Sequence, residues 1–258
     1  MSERLKLTVE GAVAVLAIMR PERLNALDLD LLREIERACD AIEANAAVRA
    51  AILTGEGKAF CAGGDIKAWA GMAPQEFGHG WVRLGHRVFD RLAALRTPLI
   101  AAINGHALGG GLELAACADI RVAEMQVRIG LPETGLGMVP GWGGTQRLVR
   151  RFGAGLVRRM ALGGEVFSAE EACGLGLVDH VAETGGALAL AEKLAEKIAA
   201  RGPAAVEIAK LAINAAEGES REPSVEALAG ILAAKTGDLR EGVSAFGEKR
   251  QPRFSGEW

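Results

Sequence analysis

The run Leu99-Ile100-Ala101-Ala102-Ile103-Asn104-Gly105-His106-Ala107-Leu108-Gly109-Gly110-Gly111-Leu112-Glu113 carries the folding pattern of the chain in miniature. Five apolar residues opened by Pro98 predict a buried strand, Asn104-Gly105 predicts a turn, and Leu112 to Ala118 predicts a helix. Three consecutive glycines lie before the helix, where main-chain N–H groups lack helical partners and no side chain crowds their approach to a ligand.

The same order recurs upstream. Val48 to Leu53 reads as a strand ending at Thr54-Gly55, followed by a glycine-bearing loop through Gly64 and by helical periodicity at Trp81, Leu84, Val88, Leu92 and Leu95. Before it, Leu5 to Glu10 and Gly11 to Met19 read as two strands joined at Glu10-Gly11, and Asp28 or Asp30 starts a helix reaching about Glu43. Repeated strand, loop and helix predict an α/β fold. After the strand-like Leu177 to Val181, four helix candidates follow: Ala187 to Ala200, Pro203 to Ala216, Ser224 to Thr236 and Leu239 to Phe246. The expected organisation is therefore a core over residues 1–185 and a helical region over 186–258, packed on the core or on a neighbouring subunit.

A chain of 258 residues with 30 Lys and Arg against 33 Asp and Glu has a net charge of -3, which argues against a polyanion or an anionic membrane as main partner. Cys39, Cys61, Cys117 and Cys173 lack zinc or redox spacing and read as free thiols. His79, His86, His106 and His180 show no metal-ligand spacing, so no metal is expected. With seven Phe, four Trp and no Tyr, no basic-aromatic array suggests nucleic acid. The apolar runs are too interrupted to span a membrane, and a soluble cytoplasmic protein is expected. The 34 glycines, about 13% of the chain, exceed the usual ~7% and cluster where apolar runs end.

Three glycine-rich segments carry a resemblance to a known family. Lys58-Ala59-Phe60-Cys61-Ala62-Gly63-Gly64-Asp65-Ile66-Lys67, Asn104 to Asp119, and Leu131 to Leu148 resemble the signatures of the enoyl-CoA hydratase/isomerase, or crotonase, superfamily. Arg20-Pro21-Glu22-Arg23-Leu24-Asn25-Ala26-Leu27 and Thr236 to Phe254 also fit, so the resemblance spans nearly the whole chain. It implies a crotonase-like (ClpP/crotonase) spiral core of repeated ββα units with a C-terminal helical trimerisation region. It also implies an acyl thioester of coenzyme A as substrate, without a prosthetic group, and assembly into a hexamer as a dimer of trimers.

By this resemblance the amides of Gly64 and Gly110 form an oxyanion hole, Glu113 and Glu133 match the catalytic glutamates of hydratases, and the Gly141 amide approaches the reacting water. Glu113 read alone is a helix-start carboxylate, and Glu133 alone a solvated strand end. Retention of both favours hydration of a 2-enoyl-CoA over positional isomerisation, with a noncatalytic CoA-binding scaffold as a further alternative. Ala62, Asp65 and Ile66 fall in the cofactor-binding segment, with Asp65 read as orienting the loop. Lys58 and Lys67 resemble phosphate contacts or are ordinary surface lysines, and Phe246 and Lys249 resemble residues that reach a neighbouring subunit's ligand. Trp69, Met72, Trp81, Met138 and Trp142 are the acyl-pocket candidates. Trp142 departs from the small or acidic residue often found there, and either narrows the acyl site or packs outside it.

Overall fold

A computed structural model describes residues 4–219 and 221–256, so the outermost positions of the 1–185 and 186–258 segments lie outside the described residues. Its strands are β1 (Leu5–Glu10), β2 (Val13–Ile18), β3 (Ala50–Gly55), β4 (Ala59–Cys61), β5 (Leu99–Ile103), β6 (His106–Leu108), β7 (Ile120–Glu124), β8 (Arg128–Gly130), β9 (Val166–Ser168) and β10 (His180–Ala182). They form a six-stranded sheet in the order β1-β2-β3-β5-β7-β10 and a four-stranded sheet in the order β4-β6-β8-β9. Among the described residues, only the β1–β2 hairpin and the β8–β9 pair are antiparallel.

Apolar residues on both faces of β3 and β5 place these strands at the centre of the large sheet. Ala51, Leu53, Leu99, Ala101 and Ile103 face the main core, which also takes the stripe Leu31, Leu32, Ile35, Cys39 and Ile42 of helix Leu29–Ala44. The alternate residues Ala50, Ile52, Ile100 and Ala102 turn to the opposite face, against Ala187, Ala191 and Ala195 of helix Ala187–Ala199.

The chain divides into two compact units, one ending at Glu207 and the other beginning at Ile208. That division falls beyond the expected 185/186 boundary because helix Ala187–Ala199 buries its alanine face on the large sheet and belongs to the first unit. In the second unit, helix Arg221–Lys235 is followed by helix Gly237–Gly247, whose N-terminus is capped by the Thr236 hydroxyl accepting from the Leu239 amide.

The pairs β3/β4, β5/β6 and β7/β8 each give one strand to each sheet and then lead through a turn towards helical structure. This is the α/β spiral of ββα units, with a helical C-terminal region, that the resemblance implies. Its consequence is local: β4, β6 and β8 are adjacent and parallel, so the turns that leave their C-terminal ends emerge side by side. Those turns hold Gly63-Gly64, Gly109-Gly110 and Pro132-Glu133.

Candidate active site

The first turn is shaped from a distance by the segment Arg20 to Leu27. Asn25 is fully buried, and its Nδ2 donates to the carbonyls of Glu56 at 2.9 Å and Ala59 at 2.6 Å, while its Oδ1 accepts from the Arg20 amide at 2.9 Å. The Leu27 amide donates to the Gly63 carbonyl at 2.8 Å, and the Asp65 amide returns a bond to the Leu27 carbonyl at 2.7 Å. Arg20 then pairs with Asp28 at 3.1 Å and Asp65 at 3.2 Å, and Asp65 also accepts from the Lys67 amide at 3.2 Å. These bonds hold the backbone on both sides of Gly64 and leave its own N–H unused.

The second turn sits directly against the first. A Cβ on Gly63, whose φ is +97°, would stand 3.2 Å from the Gly110 nitrogen and 3.0 Å from the Leu108 carbonyl oxygen. Among the described residues, neither the Gly64 nor the Gly110 N–H donates to a protein acceptor. Both glycines line a cavity of about 350 Å³, together with Glu113, Glu133, Gly141 and Trp142. This volume lies within the usual range for small-molecule sites.

Glu113, in helix Gly110–Ala115, is 2% exposed, and its Oε1 accepts from the amides of Trp142 at 2.8 Å and Gly144 at 2.7 Å. Burial pushes its carboxyl up to about 7, and the negative charge of Glu133 adds to that, while the Trp142 and Gly144 amides and Arg147 pull the other way. Glu133 opens the 3₁₀ turn Glu133–Leu136. Both of its carboxylate oxygens are buried without a hydrogen-bond partner among the described residues, and burial raises its carboxyl as well. The site therefore presents two unused amide donors and two carboxyls that resist ionisation, a combination suited to moving protons beside a developing negative charge.

Trp142 is 3% exposed and lies within the cavity wall. Its ring packs 5.2 Å from Trp81 and 5.4 Å from Phe89, centroid to centroid. Trp69, Trp81 and Met138 line the same cavity, as do Ala62 and Ile66. Met72 does not: it packs, partly buried, against the main core. Lys58 lines a separate groove with Asn104, His106 and Gln126, and Lys67 is exposed just after the Asp65 cap, outside the cavity lining. Phe246, 88% exposed, and Lys249, at φ +54°, belong to the second unit.

Several residues that build the site are not among those the sequence singles out, although Arg20, Asn25 and Arg147 lie in segments that carry the resemblance. Arg147 is 1% exposed and donates to Asp90 at 2.6 Å and to the Trp142 carbonyl at 3.5 Å, clamping the turn whose amides hold Glu113. Gly85 makes room for the Trp142 indole, since a Cβ there would stand 2.2 Å from Nε1. Asn25 and Arg20 act on Gly64 only through the fold. A buried polar residue inside a polar-looking segment has no spacing that announces it. Among the described residues, no cluster of His, Cys, Asp or Glu is arranged to hold a metal ion, and no helix is long and apolar enough to cross a membrane.

The enoyl-CoA hydratase/isomerase family matches residues 8–257. The chain is 42% identical over 260 residues to the crotonyl-CoA hydratase of Syntrophomonas wolfei, covering 98% of each chain. It is 38% identical to the 2,3-dehydroadipyl-CoA hydratase of Escherichia coli over 95% of each. The solved structure of an enoyl-CoA hydratase from Bacillus anthracis is similar with a TM-score of 0.80 and 38% identity, covering 98% of this chain and 100% of that one. Fold, turns and matched span agree: the chain belongs to the enoyl-CoA hydratase/isomerase family.

Proposed function

We propose that the chain hydrates 2-enoyl thioesters of coenzyme A to 3-hydroxyacyl thioesters. The observation that carries this reading is the convergence of two unused backbone amides and two buried carboxyls on one cavity. The thioester oxygen lies between the Gly64 and Gly110 amides, which stabilise it as it gains enolate character; one such donor is worth roughly 3 to 4 kcal/mol in other enzymes.

Glu113, held in place by the Trp142 and Gly144 amides, binds and activates the water with the help of the Gly141 amide. The water oxygen bonds to the β carbon as its proton passes to the ionised Glu113, protonated Glu133 delivers its proton to the α carbon, and transfer of the proton from Glu113 to Glu133 through the next bound water resets the pair. Coenzyme A enters as part of the substrate, with Ala62 and Ile66 on the cavity wall and Asp65 shaping the loop beside them. Lys58, Lys67, Phe246 and Lys249 are the further candidates for its contacts, the last two from a neighbouring subunit of a trimer or of a dimer of trimers.

Two carboxyls favour hydration over an isomerisation that moves a single proton between the α and γ carbons. The test is turnover of 2-enoyl-CoA and 3-enoyl-CoA by the native chain, Glu113→Gln and Glu133→Gln. Each variant is expected to keep its circular-dichroism melt and lose roughly 10² to 10⁴-fold in hydration, the span of general acid–base catalysis. Near-native hydration by both variants defeats the mechanism, and native activity confined to the 3-enoyl substrate makes the chain an isomerase.

A further inference from the structure

We propose that Trp142 ends the acyl site, making the chain selective for short, straight 2-enoyl groups over long ones; this rests on the hydratase reading above. The indole lies immediately beyond the two amide turns. A Cβ on Gly110 would stand 3.0 Å from its Cε3 and Cζ3, and one on Gly64 would stand 3.4 Å from its Cη2. The six-membered ring therefore lies close to both glycines that flank the thioester oxygen, and an acyl tail extending inward from that point meets it.

The ring has little freedom to give way. Its pyrrole edge is set against the backbone of helix Arg83–Ala93 at Gly85, where an added Cβ would come within 2.2 Å of Nε1 and 2.4 Å of Cε2. Phe89 and Trp81 flank it. Its main chain is held at both ends, its N–H donating to Glu113 Oε1 at 2.8 Å and its carbonyl accepting from Arg147 at 3.5 Å. Leu136, 64% exposed, and Val139, 68% exposed, also line the cavity, so a long tail laid over them stays partly in contact with water and gains less than one that is fully buried.

The experiment compares kcat/KM for crotonyl-, hexenoyl- and decenoyl-CoA across the native chain, Trp142→Phe, Trp142→Ala and Gly85→Ala. The native chain is expected to prefer crotonyl-CoA, and Trp142→Ala to raise the decenoyl-to-crotonyl ratio by at least about tenfold, the scale on which a pocket distinguishes methylenes. Trp142→Phe keeps an aromatic ring against Trp81 and Phe89, covers the case in which the alanine variant does not fold, and moves the ratio in the same direction. Gly85→Ala pushes the indole towards the amides and lowers the hexenoyl-to-crotonyl ratio. A uniform change across chain lengths in the folded Trp142 variants overturns the inference.

Calorimetric binding of saturated butyryl- and decanoyl-CoA separates this inference from the hydratase reading. A native chain that turns over no 2-enoyl-CoA ends that reading, while the acyl stop is still decided by binding. A gain for decanoyl over butyryl that is larger in Trp142→Phe than in the native chain supports the stop. Equal gains in both remove it.

Discussion

Glu113 shows how one residue can be legible in type and illegible in behaviour. Its place after three glycines marks it as a candidate, but the two amides that grip Oε1 come from a turn some thirty positions away. The Glu133 charge that helps to raise it comes from another turn, twenty positions away. Because burial favours the protonated carboxyl, the folded chain keeps this proton up to about pH 7, whereas the unfolded chain releases it near 4.5. Folded protein thus holds more protons between these values, and stability falls as pH rises through the window. The difference amounts to a contribution on the order of 3 kcal/mol, and Glu113→Gln is expected to lack most of this decline in denaturant titrations at pH 4.5 and 8. In Glu133→Gln the neighbouring charge is gone, so a ¹³C-labelled Glu113 carboxyl is expected to titrate at lower pH than in the native chain. An upward or absent displacement contradicts coupling between the pair.

At the scale of elements, the long strands and helices follow from their apolar patterns, and the second sheet does not. β4, β6, β8 and β9 have three residues each, too few for a period to register, and they are recognisable only by whom they pair with. Helical periodicity from Trp81 to Leu95 predicts the helix Arg83–Ala93, but not the π-helical turn Phe77–Val82 ahead of it, which contributes Phe77, Trp81 and Val82 to the cavity. The contact between β4 and helix Gly110–Ala115 is equally hidden. A Cβ on Gly111 would stand 1.9 Å from the Cys61 carbonyl oxygen, so the helix rests on the strand backbone with no space for a methyl group. Gly111→Ala is expected to cost about 1–3 kcal/mol, as overpacking does, and to separate the Gly64 and Gly110 amides. Thermal denaturation reads the first effect and hydration rate the second. An unchanged melt would mean that the helix can slide off β4 freely.

For the whole molecule, the sequence division at 185/186 and the observed one at Glu207/Ile208 differ by helix Ala187–Ala199, whose alanines serve the large sheet, and by the first residues of helix Pro203–Glu217. No local pattern distinguishes a helix that covers its own core from one that leaves it, since both are amphipathic. The second unit leaves Val225, Leu232, Leu239, Val243 and Phe246 exposed, a quantity of apolar surface that favours the proposed subunit contacts. The native chain is accordingly expected to sediment as a hexamer or trimer, and Phe246→Asp to shift it to a smaller species. A native monomer at micromolar concentration rules that assembly out.

The three abreast strands of the small sheet hold the proposed donors and acids on short elements. Each leads into one turn of the candidate site but makes only a few ladder bonds, so partial opening there disperses the proposed donors and acids together while the broad sheet behind stays intact. Heat inactivation should then run ahead of global melting, with amide exchange at Cys61, Leu108 and Gly130 quickening in step with the lost turnover.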